Sequence, residues 1–250
     1  MNIGEIIKDS AKYPLSDWKK FLFLGILFVI TDLHVFVGQF SGNIEVLVGL
    51  FYVTMPFWLI SYGYIFRIIK LSLTGENKLP ELNNWKNMFI DGLKVFITFI
   101  IPFIIYSLVF VILYLNKLIP FSGIWQTIVL FAIIIPIVFI AVTNKAYYEN
   151  KSSSASIFKI FKVREILEKI SLKGWNNFTK WYIITAIIFL IINSIFMLLN
   201  ALFGLIYPIY EPLNFTSLLL DIIDALIITP YSYIFLARSV ALFYMPDEEE

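Results

Sequence analysis

Three aspartates and one histidine sit in otherwise apolar stretches: Asp32 and His34 near the start, Asp221 and Asp224 near the end. Asp221 and Asp224 are three residues apart, so on a helix both carboxylates share a face. Two such groups in a low-dielectric setting repel, and one of them must be protonated or paired with a cation. With Asp32 and His34 they compose a small anionic site suited to a cation or a proton, and ionisable groups within a span are functional candidates by default. The alternative is that the last span starts near Ile222, leaving the acids at a wet interface. Asn193 and Asn200, seven apart, line one helix face and suit bonds between helices.

Other chemistry is absent from the sequence. There is no Cys and a single His, which excludes disulfides, thiolate catalysis and His-pair zinc sites. No G-x-S-x-G, P-loop, H-E-x-x-H or paired-Gly nucleotide fingerprint occurs. The expectation is therefore a protein that is not an enzyme, with no metal, no cofactor and no nucleic-acid partner.

The elements that must position these residues are membrane helices. The 250 residues are 60% hydrophobic and 15% charged, with mean hydropathy +0.84. Soluble domains average roughly 45–50% apolar and about 25% charged, and cannot hide this much apolar surface. A span takes roughly 20 apolar residues. Six stretches fit: 21–40, 44–66, 95–115, 124–143, 181–206 and 216–238. The expected fold is all-α, a polytopic membrane protein of six transmembrane helices.

Charge sets the orientation. Lys117 is the one cation assigned to the outer loops, and the other Lys and Arg residues fall on the opposite side. The positive-inside rule then predicts a multi-pass protein of the cytoplasmic membrane with both termini in the cytoplasm. The acidic tail, 246–250, lies on that inner side.

An internal repeat is also legible. Trp18, Trp85 and Trp175 each follow a polar turn and precede a Lys or Asn pair, a Phe and an apolar run. Each even-numbered span holds a mid-span proline, Pro56, Pro136 or Pro230, followed by Arg67, Lys145 or Arg238. This predicts three repeated hairpins, about 18–66, 85–145 and 175–238, within one membrane domain covering 1–250. Pro102 adds a kink in span three by leaving the Thr98 carbonyl without its donor. Amphipathic patterns predict interfacial helices over about 2–13, 79–92 and 155–172, apolar side in the lipid.

The stretch GENKLPELNNWKNMFIDGLKVFI, with its LPE, its Trp and the step Asp91-Gly92-Leu93, resembles the signature of an uncharacterised archaeal and bacterial membrane family, domain of unknown function 4013. YPLSDWKKFLFLGIL resembles its N-terminal block and TNKAYYENKSSSASIFKIFKVREILEKI its central cytoplasmic helix. The resemblance implies a polytopic membrane protein and brings no catalytic residues with it. More loosely, elbows before paired spans are similar to the membrane domains attached to some glycerophosphodiester phosphodiesterases.

Two functions remain. The first is a non-catalytic protein that organises lipid, or docks an unidentified membrane or cytoplasmic protein partner. The second is a transporter or channel for a small solute or ion, built on the outward-facing acidic site. A continuous polar cavity distinguishes the second from the first.

Overall fold

The computed structural model describes residues 2–115, 135–151, 163–206 and 213–245. Helices α1 (Ile3–Lys12), α2 (Trp18–Thr31), α3 (Leu33–Gly38) and α4 (Ile44–Ser72) open the chain, and α5 (Trp85–Leu115) follows. Beyond them come α6 (Ile135–Lys151), α7 (Val163–Lys173), α8 (Trp175–Ile206), α9 (Leu213–Ile223) and α10 (Thr229–Tyr244). The protein is an all-α polytopic membrane protein. Among the described residues four helices are long and apolar enough to cross a membrane: Ile44–Ser72, Trp85–Ile112, Trp175–Ile195 and Ser217–Tyr244. The expected span at 124–143 lies partly outside the described residues, and the tail at 246–250 lies wholly outside them.

Span one, expected as continuous over 21–40, is two helices broken at Asp32. Thr31 explains the break: its hydroxyl donates to the Phe28 carbonyl at 2.7 Å and meets the Asp32 carboxylate at 3.2 Å. Short polar side chains that bond to nearby backbone compete with the helix ladder. The chain then turns, and Asn43 caps α4 by accepting from the backbone N–H groups of Glu45 and Val46.

Each marker tryptophan is the first residue of its helix, and each stays open to the surroundings: Trp18 on α2, Trp85 on α5, Trp175 on α8. Asp17, Asn84 and Gly174 make the preceding elbows. Asn84 and Gly174 do so with left-handed backbone, at φ 55° and 85°. That geometry suits Gly, and Asn better than other residues with a Cβ.

Two interfacial helices differ from expectation. Residues 79–84 hold no helix, so the element expected over 79–92 is a loop that runs straight into α5 at Trp85. Helix α1 forms as patterned, but its apolar side covers protein rather than lipid: Ile6 is buried in the core and the helix packs on α10. Tertiary contact supplies the apolar partner that the periodicity left unspecified. Of the region expected at 155–172, α7 covers the described part, and 152–162 lie outside the described residues.

The core is centred on α10, whose residues from Ser232 to Tyr244 are almost all buried, and on the second half of α4. The proline-bearing helices α4, α6 and α10 touch one another. Before Pro230 the chain makes one wide turn, Asp224–Ile228, in which the Thr229 N–H reaches back five residues to the Asp224 carbonyl. Proline has no N–H to give to Leu226, four residues before it. That carbonyl faces Gly25 of α2, where a Cβ would overlap it. A second glycine contact joins α4 to α5: a Cβ on Gly63 would overlap the Met88 carbonyl, and one on Gly92 the Leu59 carbonyl. Small residues let membrane helices approach to backbone contact, where dispersion and Cα–H···O contacts hold them.

Candidate functional site

The acidic group of Asp32, Asp221 and Asp224 comes together around a residue the sequence reading passed over. Gln39, just beyond α3, donates its amide to the Asp221 carboxylate on α9. Its carbonyl oxygen accepts from Ser217 at 3.4 Å. A side chain just beyond α3 thus ties down α9. Asp224, opening the wide turn, meets the Thr229 hydroxyl at 3.5 Å. His34 contacts the Thr31 carbonyl at 3.0 Å through Nδ1 and sets its ring edge-on to Phe51 at 5.4 Å. Asp32, His34, Asp221 and Asp224 therefore share one region, each with its own local partner. Among the described residues no three His, Asp or Glu side chains gather closely enough to hold a metal ion. Only a local polarity signal, a Gln at the end of an interrupted span, marks Gln39 in the sequence.

Of the asparagine pair, only the Asn193 side chain is described. Asn193 donates to the Phe189 carbonyl of its own helix at 2.7 Å and accepts from Ser232 of α10 at 3.5 Å, a weak bridge between helices. The Asn200 side chain lies outside the described residues, as does that of Pro136. Pro56 and Pro102 sit inside α4 and α5, and Pro230 opens α10.

The opposite end of the molecule is richer. Arg238 there is only 2% exposed. Its guanidinium donates to Asp9 at 2.7 Å, the Glu76 carbonyl at 2.6 Å and Asn77 at 2.7 Å, and it stacks 4.5 Å over the Tyr13 ring. A planar fork with five donors is what such a convergent site needs. Arg67 plays a related part, giving its N–H groups to the carbonyls of Asn83 and Asn84 at the elbow before α5. The Tyr64 hydroxyl adds a bond to the Pro80 carbonyl at 2.9 Å. Two of the three cations noted after the prolines thus fasten loops and elbows.

The third, Lys145, belongs to a charge network around Glu149, with Lys70, Lys94 and Lys145 at 3.3, 2.9 and 3.2 Å. Lys94 also pairs with Asp91 at 2.7 Å. Burial pushes the Glu149 carboxyl up, but the Lys94 hydrogen bond, with Lys145 and Lys70 behind it, holds it below the usual carboxylate range.

A last constellation was not singled out from sequence. The Lys169 ammonium of α7 lies 3.3 Å from the Tyr147 ring centre, 4.3 Å from that of Tyr244 and 4.8 Å from that of Tyr148. It also donates to the Asn144 side-chain oxygen at 3.3 Å, which takes a second bond from the Tyr244 hydroxyl at 2.6 Å. Aromatic faces attract cations, so three tyrosines make a cage. The pair Tyr147-Tyr148 is adjacent in the sequence, but Tyr244 arrives only through the packing of α6 on α10.

Between α4, α5, α6 and α10 lies a cavity of about 150 Å³ whose walls include Trp58, Tyr62, Val95, Phe99, Phe139 and Tyr233. Its lining is aliphatic and aromatic. None of Asp32, Asp221 and Asp224 lines it.

No curated protein and no solved structure matches the chain. Residues 46–201, more than half of it, match the family described as Protein of unknown function (DUF4013). Polytopic helices, Trp-opened elbows and the close-packed Gly92 of the Asp91-Gly92-Leu93 step are features of a chain that belongs to that family.

Proposed function

We propose that this chain is a non-catalytic membrane protein of six spans in three hairpins. Both termini are cytoplasmic, and its basic side organises lipid or docks a protein partner. The observation that carries this reading is the apolar interior. The cavity between the proline-bearing helices has aromatic and aliphatic walls. A solute or ion path needs polar groups or water along its length, because each unmet polar group in hydrocarbon costs several kcal/mol. Arg238 and Arg67 fasten loops and elbows, and Lys94 ties helices through Glu149.

The hairpin repeat has support from packing. Gly25 and Gly92 each stand seven residues after the tryptophan that opens their helix, and each lies against a carbonyl of a proline-bearing segment, Leu226 or Leu59. Tyr182 holds the corresponding place on α8, so the third unit departs from the pattern. For topology, cysteines are introduced singly into this cysteine-free chain at Gly42 and Thr74. In intact cells an impermeant thiol reagent should label the first and reach the second only after permeabilisation. Labelling of Thr74→Cys from outside would reverse the orientation.

The second reading, transport through an outward acidic site, is favoured by the tie of Asp221 to Gln39 and Ser217. One experiment separates the two. Purified protein in vesicles is tested for sodium, potassium and proton flux, beside Asp221→Asn/Asp224→Asn. The expected result is flux equal to protein-free vesicles for both proteins. Flux that the double variant loses would establish the transport reading instead.

A further inference from the structure

The cavity between α4, α5, α6 and α10 has a shape as well as a chemistry. Trp58, Tyr62, Ile65 and Ile69 recur at helical spacing, so one stripe of α4 walls it over about 16 Å of helix. Val95 and Phe99 of α5 and Val138 of α6 close it from other sides. The stripe makes it long rather than round. Its depth is that of the membrane interior, since Trp58 is the middle residue of α4. No charged side chain belongs to its described walls. The hydroxyls of Tyr62 and Tyr233 interact with each other, so these walls ask for no polar partner.

One side of it gives onto lipid. Phe99 is half-buried and stacks at 5.6 Å on Phe103, which is 42% exposed. Trp58 is half-buried too, next to the exposed Phe57. At mid-span, what surrounds such residues is acyl chain.

We propose that this cavity takes one acyl chain of a bilayer lipid, entering past Trp58 and Phe99 while the headgroup stays at the membrane surface. The proposal deepens the reading that the protein organises lipid, and rests on it. An apolar cavity of this size, about 150 Å³, stays free of water and accepts hydrocarbon. Left empty, its walls forfeit dispersion contacts. A chain drawn from the bilayer restores them, with no polar group to dehydrate. A compact apolar solute would fill part of the stripe and leave the rest void. A helix of a second copy, about 10 Å across, is too wide for it.

The test uses the purified full chain in phosphatidylcholine vesicles, with bromine on the acyl chains of a chosen fraction of the lipid. Bromine quenches an indole on contact, and Trp58→Phe supplies the signal of the other tryptophans. The expected result is a loss of Trp58 emission in direct proportion to the brominated fraction, because a single chain touches it. An indole on the open surface, touched by several lipids, loses emission faster than that. Val138→Phe and Val95→Phe, each filling the cavity, should abolish the loss, with unfolding midpoints at or above that of wild type. Brominated phosphatidylglycerol should act as phosphatidylcholine does, since no charge lines the described walls. Trp58 emission untouched by the brominated chains would close the cavity to lipid. Quenching by bromobenzene alone would make it a site for small solutes. A loss steeper than proportional, or one that survives both filling variants, would put the chain outside the cavity, and a loss confined to one headgroup would make it a headgroup site. Each of these overturns the proposal. None touches the non-transport reading, which fails only on flux.

Discussion

Leucine at Gly92 or at Gly63 is expected to separate α4 from α5 and to cost the folded protein at least about 3 kcal/mol, the upper end of overpacking penalties. The reason is geometric. At both positions the facing atoms are backbone, the carbonyls of Leu59 and Met88, which cannot rotate aside as a side chain would. Even alanine overlaps, so Gly92→Ala already carries most of the loss. The two glycines are reciprocal, each facing the other helix, so the double variant should cost little more than either single change. Gly42→Ala and Gly49→Ala are the controls, because a Cβ at either position meets nothing within 4 Å. Thermal unfolding in detergent, read by tryptophan fluorescence, measures the order. Gly92→Leu unfolding at the wild-type midpoint would show that α4 and α5 do not pack on these carbonyls.

Replacing Arg238 by Met should cost about 3 kcal/mol, in the range found when one partner of a buried charged network is removed. The guanidinium binds two separate pieces of chain: α1 and its C-cap, through Asp9 and the Tyr13 ring, and the Glu76 and Asn77 segment after α4. Its loss leaves the Glu76 carbonyl and Asn77 amide without their donor and frees α1 at its C-terminal end. Trypsin should then cut at Lys8 and Lys12 in the folded protein, sites that the docked α1 protects. Asp9→Asn should cost about 1–2 kcal/mol, since Asp9 is only one of the ties and is partly open to solvent. Arg238→Lys should not restore the wild type, because an ammonium cannot reach the three acceptors in one plane. Equal trypsin resistance in Arg238→Met and wild type would show that α1 is held by its apolar face alone.

Much of this could be read from the chain. Composition and run lengths require membrane helices, because lipid leaves backbone groups no partner outside the helix. Trp18, Trp85 and Trp175 were legible as markers before apolar runs, and each opens a helix, Trp85 against the helix expected over 79–92. The Asp91-Gly92-Leu93 step carried a resemblance, and the packing of Gly92 on Leu59 now gives it a physical meaning.

What the sequence left open depends on distant partners. The break of the first span at Asp32 rests on where Thr31 sends its hydroxyl, and hydropathy averaged over a window does not register that bond. Helix α1 has the pattern of a lipid-facing helix, yet Ile6 is buried in protein, because periodicity identifies an apolar face and not what covers it. The link from Gln39 to Asp221 spans most of the chain, as does that from Arg238 to Asp9. Lys169 reads as one more surface lysine until α6 and α10 bring Tyr147, Tyr148 and Tyr244 around it. The sequence by itself determined helices and a membrane. Which polar side chains converge, and on what, was decided by helix packing, because those distances exist only once the helices are side by side.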